Sequence, residues 1–230
     1  MFRLLALLLL MLTAAAAPAL DAPIPPFRAD FDLIRNGDRI GKAHIELVAG
    51  KDGWQFTTRS EGTEGLAGFA GVRIDENSTF RWHDDKPETM HYRYFQKAAW
   101  RKKHRQVDVD HAAKRVTAGD DDGAVALAYA PATVDRNLVL LALAADLKRN
   151  HDTLAYRVVD KRDVDTHRYK ITGRQTVATA RGRFECIVVE RIRQKAGRTT
   201  TTWIAPALGY TPVRIVQREP DGETLEMLLR

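Results

Sequence analysis

The chain is poor in the residues that carry most covalent and metal chemistry. Cys186 is the only cysteine among 230 residues, which excludes an intramolecular disulfide and a thiolate zinc site. It lies two residues from Phe184 and two from Val188, on one face of an expected strand, where a free cysteine behaves as a small hydrophobe. The only serines are Ser60 and Ser78, and neither sits in a G-x-S-x-G elbow. The histidines (His44, His83, His91, His104, His111, His151, His167) form no H-E-x-x-H and no H-x-H pair. Asp120-Asp121-Asp122-Gly123 lacks the alternate-residue spacing of a calcium loop and reads as an acidic turn. No catalytic set, metal site or cofactor is expected. Beyond residue 12 no segment approaches the roughly 20 apolar residues of a membrane-spanning helix, so the mature chain is expected to be soluble. No long basic block is present either, which argues against nucleic acid as a partner.

What the chain does have begins at its N-terminus. Arg3, the unbroken apolar run 4–12 and the small residues up to Ala19 have the form of a secretory signal peptide over residues 1–19. Residues 20–27, with Pro23, Pro25 and Pro26, read as an extended leader, and residues 28–230 as a single β-rich domain. Export to the periplasm is expected, without a lipid anchor because no cysteine stands near the cleavage site. Removing Arg3 leaves 35 basic against 30 acidic residues, a net of +5. That mild excess is compatible with anionic envelope lipid or polysaccharide nearby.

Alternation with period 2 dominates the rest. Ala29, Phe31 and Leu33 alternate with Arg28, Asp30 and Asp32, and Asn36-Gly37 follows as a hairpin turn. Further strands fit 41–48, the segment from Trp54, 78–82, 90–94, 100–110, 123–129, 154–161, 167–171, 184–191, 199–204, 212–218 and 224–229. One segment, 134–150, is helical, apolar nearly all round from Leu138 to Ala145, with Thr133 or Asp135 as its cap. The expected architecture is mainly β: a strongly curved antiparallel meander sheet, a half-barrel or open barrel, with one buried helix packed in its concavity.

Two stretches hold functional interest. Gly62, Gly65, Gly68 and Gly71 recur every three residues around Leu66 and Phe69, which fits either an apolar flap or a bulged strand connection. Trp100-Arg101-Lys102-Lys103 follows the aromatic strand that holds Tyr92 and Tyr94. Basic groups beside aromatic rings suit an amphipathic anion, while lysines on an edge strand also serve simply to block aggregation. The ligand-binding reading places Trp82, Tyr92, Tyr94 and Trp100 along an apolar site, Arg101, Lys102 and Lys103 on its rim, and Leu66 and Phe69 on its cover.

Several segments resemble the family catalogued as domain of unknown function 3108: Phe31 to Leu33 with Asn36-Gly37 and Ile40-Gly41, Asp135 to Leu143, Gly182-Arg183-Phe184, and Trp203-Ile204-Ala205 followed by Pro212-Val213-Arg214-Ile215. The resemblance runs over nearly the whole mature chain and implies a bacterial envelope protein, with no activity to carry over. The stretch from Trp203 to Arg214 is also distantly similar to the half-barrels of periplasmic lipoprotein carriers. Three functions stay open in order: a non-catalytic binding module for a lipid or other amphipathic envelope component, an assembly or protein-interaction factor, and a hydrolase.

Overall fold

A computed structural model describes residues 22–193 and 197–230. The expected signal peptide and the first residues of the expected leader lie outside the described residues. The chain forms β1 (Phe27–Arg35), β2 (Asp38–Gly50), β3 (Gly53–Gly62), a short helix α1 (Gly65–Phe69), β4 (Arg73–His83), β5 (Lys86–Ala98), β6 (Arg101–Asp110), β7 (Arg115–Asp120) and β8 (Gly123–Leu127). It continues through β9 (Val134–Asp135), helix α2 (Val139–Lys148), β10 (Leu154–Asp160), β11 (Asp163–Thr179), β12 (Gly182–Ile192), β13 (Thr199–Ala205), β14 (Thr211–Arg218) and β15 (Thr224–Leu229).

These strands make one sheet in the order β8-β7-β6-β5-β4-β3-β2-β1-β15-β14-β13-β12-β11-β10-β9. Neighbours pair antiparallel except β9 with β10, and the first and last strands lie side by side at the centre. The turn between β1 and β2 takes positive φ at Asn36 (52°) and Gly37 (94°), the backbone that Asn-Gly supplies at low cost in a tight hairpin.

Edge strands β8 and β9 stand at opposite ends of the sheet, yet only residues 128–133 join them. Flat, fifteen strands would separate these edges by about 65 Å. The connection spans at most about 25 Å when fully extended. The sheet therefore curls until its two ends face each other. They meet through side chains and one backbone bond, Thr89 N–H to the Thr133 carbonyl at 3.2 Å, and no ladder closes the sheet.

The concave face is filled. Phe31, Ile45, Leu47, Phe56 and Phe80, each at most 1% exposed, meet an α2 whose Val139, Leu141–Ala145 and Leu147 are all buried. A second cluster joins Tyr92, Val107, Val116 and Ala118 of the β5–β7 end to Val159 of β10. That contact is the apolar part of the seam between the two sheet ends.

Three local readings change. The helix expected over 134–150 starts at Val139, because Val134 and Asp135 pair with Val158 and Val159 as a strand. Asp135 still serves the helix entry, its carboxylate accepting the Asn137 and Leu138 amides at 2.9 and 3.1 Å, while the Thr133 hydroxyl donates to Ala130. Strand β7 is not anticipated, since Val116 and Ala118 are too short a period-2 signal. The Gly62–Gly71 stretch is a one-turn helix. A Cβ at Gly62 would lie 2.6 Å from the Ala67 backbone and one at Gly68 2.7 Å from that of Thr63, so these two glycines serve tight packing of α1, whereas Gly65 and Gly71 supply positive φ (54° and 56°) at its two ends.

Candidate functional site

Strand alternation divides the residues of the sequence-read site among three places. Tyr92 and Tyr94 point into the seam. The Tyr92 hydroxyl donates to Glu76 at 2.7 Å, and burial followed by the Glu76 charge raises its pKa. Glu76 also receives Arg136 at 3.3 Å, and Arg105 donates to Asp160 at 2.8 Å. The Arg105 and Arg136 guanidinium groups lie 4.7 and 5.5 Å from the Tyr94 ring centre, so both hold this ring by cation–π contact. Both tyrosines are thus committed to joining the sheet ends.

Trp82 is half-buried at the other end of β4, packed edge-on against Phe80 (5.2 Å) and Trp54 (6.5 Å). Nine residues of strand, about 30 Å, separate it from Arg73 and hence from the basic segment. The structure does not bring Trp82, Tyr92, Tyr94 and Trp100 together.

The remaining residues do converge. Trp100 occupies the β5–β6 turn and Leu66 lies on α1, each 86% exposed, whereas the next most exposed large hydrophobic residue among the described residues, Ile171, reaches 49%. The Ala99 amide donates to the Ala70 carbonyl at 2.7 Å and fastens the turn to α1. Thr63 and Glu64 donate in turn to the Ile40 carbonyl, so α1 is tied to the sheet on two sides. Phe69 closes α1; its side chain lies outside the described part of the structure.

Around this apolar pair the cross-strand register stacks positive charge. Arg73 stands opposite Lys97, and Lys97 opposite Lys102, on the outer face; Ala98 opposite Arg101 and Gln96 opposite Lys103 follow on the inner face. Arg73 is paired with Asp75 at 2.6 Å, and His104 and Arg105 are paired with Asp121 and Asp160. Among the described residues Lys97, Arg101, Lys102 and Lys103 make no ion pair. Like charges directly opposite across strands destabilise a sheet, and exposed apolar groups gain nothing on folding, so the charges of this tip oppose the fold's stability and its apolar groups add nothing to it.

On the same outer face the tip opens onto a shallow groove of about 440 Å³, floored by Phe95 and flanked by Asp75, Arg93 and His104. The Phe95 and His104 rings lie 5.4 Å apart. Lys97 and Phe95 are absent from the sequence-read site, although the alternation that turns Tyr92 and Tyr94 inward necessarily turns Arg93, Phe95 and Lys97 outward.

Polar chemistry elsewhere is spent on structure. Asp135 accepts the hydroxyls of Ser78 and Thr89, both at 2.9 Å, besides the two helix-entry amides. Asn137 bridges Thr58, the Phe56 carbonyl and Ser78. Cys186 is buried, and burial raises its thiol pKa. Among the described residues no group of three His, Cys, Asp or Glu side chains is placed to hold a metal ion, and no helix is long and apolar enough to cross a membrane.

The family described as "Protein of unknown function (DUF3108)" matches residues 27–230. The chain belongs to this family. Its fold is similar to the beta-barrel-like protein of the DUF1849 family from Brucella abortus, with a TM-score of 0.53 at 11% identity, covering 91% of this chain and 97% of that one. A second solved structure, the hypothetical lipoprotein YmcC of Escherichia coli K12, aligns at a TM-score of 0.32 and 11% identity over 89% of this chain and 84% of its own. No curated protein matches. At 11% identity the likeness to the DUF1849 protein is one of fold. What the DUF3108 chain does has to be argued from its surface.

Proposed function

We propose that this DUF3108 protein is an exported, non-catalytic module that binds an anionic amphiphile of the cell envelope through the β5–β6 tip. The signal-peptide pattern of residues 1–19 supports export to the periplasm. One observation carries the binding reading: among the described residues the two most exposed large hydrophobic side chains, Leu66 and Trp100, lie on the two segments joined by the Ala99–Ala70 bond, beside four cations that make no ion pair. An anionic amphiphile relieves the repulsion and removes exposed apolar surface from water at once, its charge meeting Arg101, Lys102 and Lys103 and its apolar portion covering Trp100 and Leu66. The filled concave face favours binding at this protruding tip over an acyl chain within the sheet.

Titration with vesicles of phosphatidylcholine, with and without phosphatidylglycerol, tests the reading. Binding is expected only with the anionic lipid and is expected to weaken with added salt. Each basic residue near an anionic surface contributes about 1 kcal/mol, so replacing Arg101, Lys102 and Lys103 together by Gln should weaken it about 100-fold. Trp100→Ser with Leu66→Ser should weaken binding to anionic vesicles while leaving its salt dependence in place. Binding that ignores both sets of substitutions, or no saturable binding at all, overturns the reading.

A further inference from the structure

At the C-terminal end of α2, the β4–β5 turn, the segment before β9, α2 and β10 enclose a cavity of about 260 Å³. Pro87, Pro131, Ala142 and Tyr156 give it apolar walls. Beside them lies Asp146, 6% exposed, which accepts the Tyr156 hydroxyl at 2.8 Å and Arg149 Nη2 at 2.8 Å, with His151 Nδ1 at 3.1 Å. Three partners occupy three of the roughly four acceptor positions of this carboxylate. Asp85, the other acid at the cavity, lies 3.3 Å from Arg149.

Donors here outnumber acceptors. Arg149 and Arg157 each keep a buried Nε–H with no acceptor, and Arg157 spends Nη2 on the Ala128 carbonyl at 3.0 Å. Lys86, exposed at the mouth, makes no ion pair among the described residues. A cavity with apolar walls whose lining sets Lys86, Arg149 and Arg157 against Asp85 and an Asp146 that is already mostly occupied favours an acceptor-rich head on an apolar body. Its volume admits a fragment-sized molecule and excludes a lipid.

We propose that this cavity is a binding site for a small organic anion, its head on Arg157, Arg149 and Lys86 and its apolar body between Pro87, Pro131 and Ala142. The site is separate from the β5–β6 tip and stands whether or not the tip binds amphiphiles.

The test follows the arginine Nε–H resonances of the whole chain by NMR during titration with benzoate, with benzyl alcohol and benzylamine as neutral and cationic matches. Saturable shifts at Arg149 and Arg157 are expected with benzoate alone, with a Kd on the order of 1 mM. Arg157→Gln and Lys86→Gln should each weaken them about tenfold, and Ala142→Leu, which fills the cavity, should abolish them while the protein still melts cooperatively. Lys86 is exposed, so its variant decides the matter if Arg157→Gln fails to fold. Trp100→Ser should leave the titration unchanged. Equal affinity for benzyl alcohol, unsaturable shifts spread over the surface cations, or benzoate binding that survives Lys86→Gln and Ala142→Leu overturns the proposal.

Discussion

Two titratable side chains, one buried and one half-buried, pull the stability of this protein in opposite directions as pH falls. Burial pushes the Asp135 carboxyl from 3.8 up to about 6, although four hydrogen bonds to its charged form work against the shift. The folded state therefore binds this proton more tightly than the unfolded chain. Its contribution is fully present below about pH 3.8, is lost as pH rises through about 6, and amounts to at most about 3 kcal/mol. His167 behaves oppositely: burial, then the nearby Arg191, lowers it to about 4, so its contribution is present above about pH 6.5 and lost as pH falls through about 4. Between pH 4 and 6.5 the two offset one another in the wild type. Asp135→Asn removes one of them, so urea-unfolding free energies of that variant should fall more steeply on acidification than those of the wild type. Parallel curves would show that Asp135 does not titrate in this range.

Among the elements, α2 bears most on the fold because it fills the concave face. Leu141 is 1% exposed in its first turn, whereas its neighbour Leu140 is only half-buried. Leu141→Ala should cost about 2–5 kcal/mol, the range for leucine truncation in a packed core, and Leu140→Ala clearly less. Equal costs in thermal or urea unfolding would mean that α2 does not pack as described. The helix itself is legible in the sequence as an apolar run, but its start is not. Whether residue 134 begins a helix or a strand depends on Val158, 24 positions away, which local propensity does not register. Strand β11 shows the same limit. It runs for 17 residues, mostly exposed, and carries little apolar alternation to announce its length.

For the whole molecule the seam is decisive. Asp160 is shared by Arg105 at 2.8 Å and Arg136 at 3.9 Å, linking β6 to β10, between which no backbone ladder runs. Asp160→Asn leaves two guanidinium groups facing each other across Tyr94 without their shared counterion. Amide exchange in β6, β7 and β8 should then rise on the order of tenfold, with β1, β2, β14 and β15 at the sheet centre unchanged. Uniform acceleration across the sheet would mean that the seam is not an independent opening unit.

Alternation, Asn-Gly and Asp-Gly turns and one apolar helical run were enough, from sequence alone, to establish a curved antiparallel meander with a helix against it. Each is a local pattern repeated along the chain. The site was only half legible for the same reason. Trp100, Arg101, Lys102 and Lys103 are contiguous and stand out in any reading, and Leu66 reaches them only through the bond from Ala99 to Ala70. Tyr92 and Tyr94 share their strand with Lys97 and Phe95, and alternation separates the pairs without saying which face meets water. That choice belonged to tertiary structure: the sheet curls until β5 and β6 face β10, which buries the tyrosines against Glu76, Arg136 and Val159 and leaves the lysines outside.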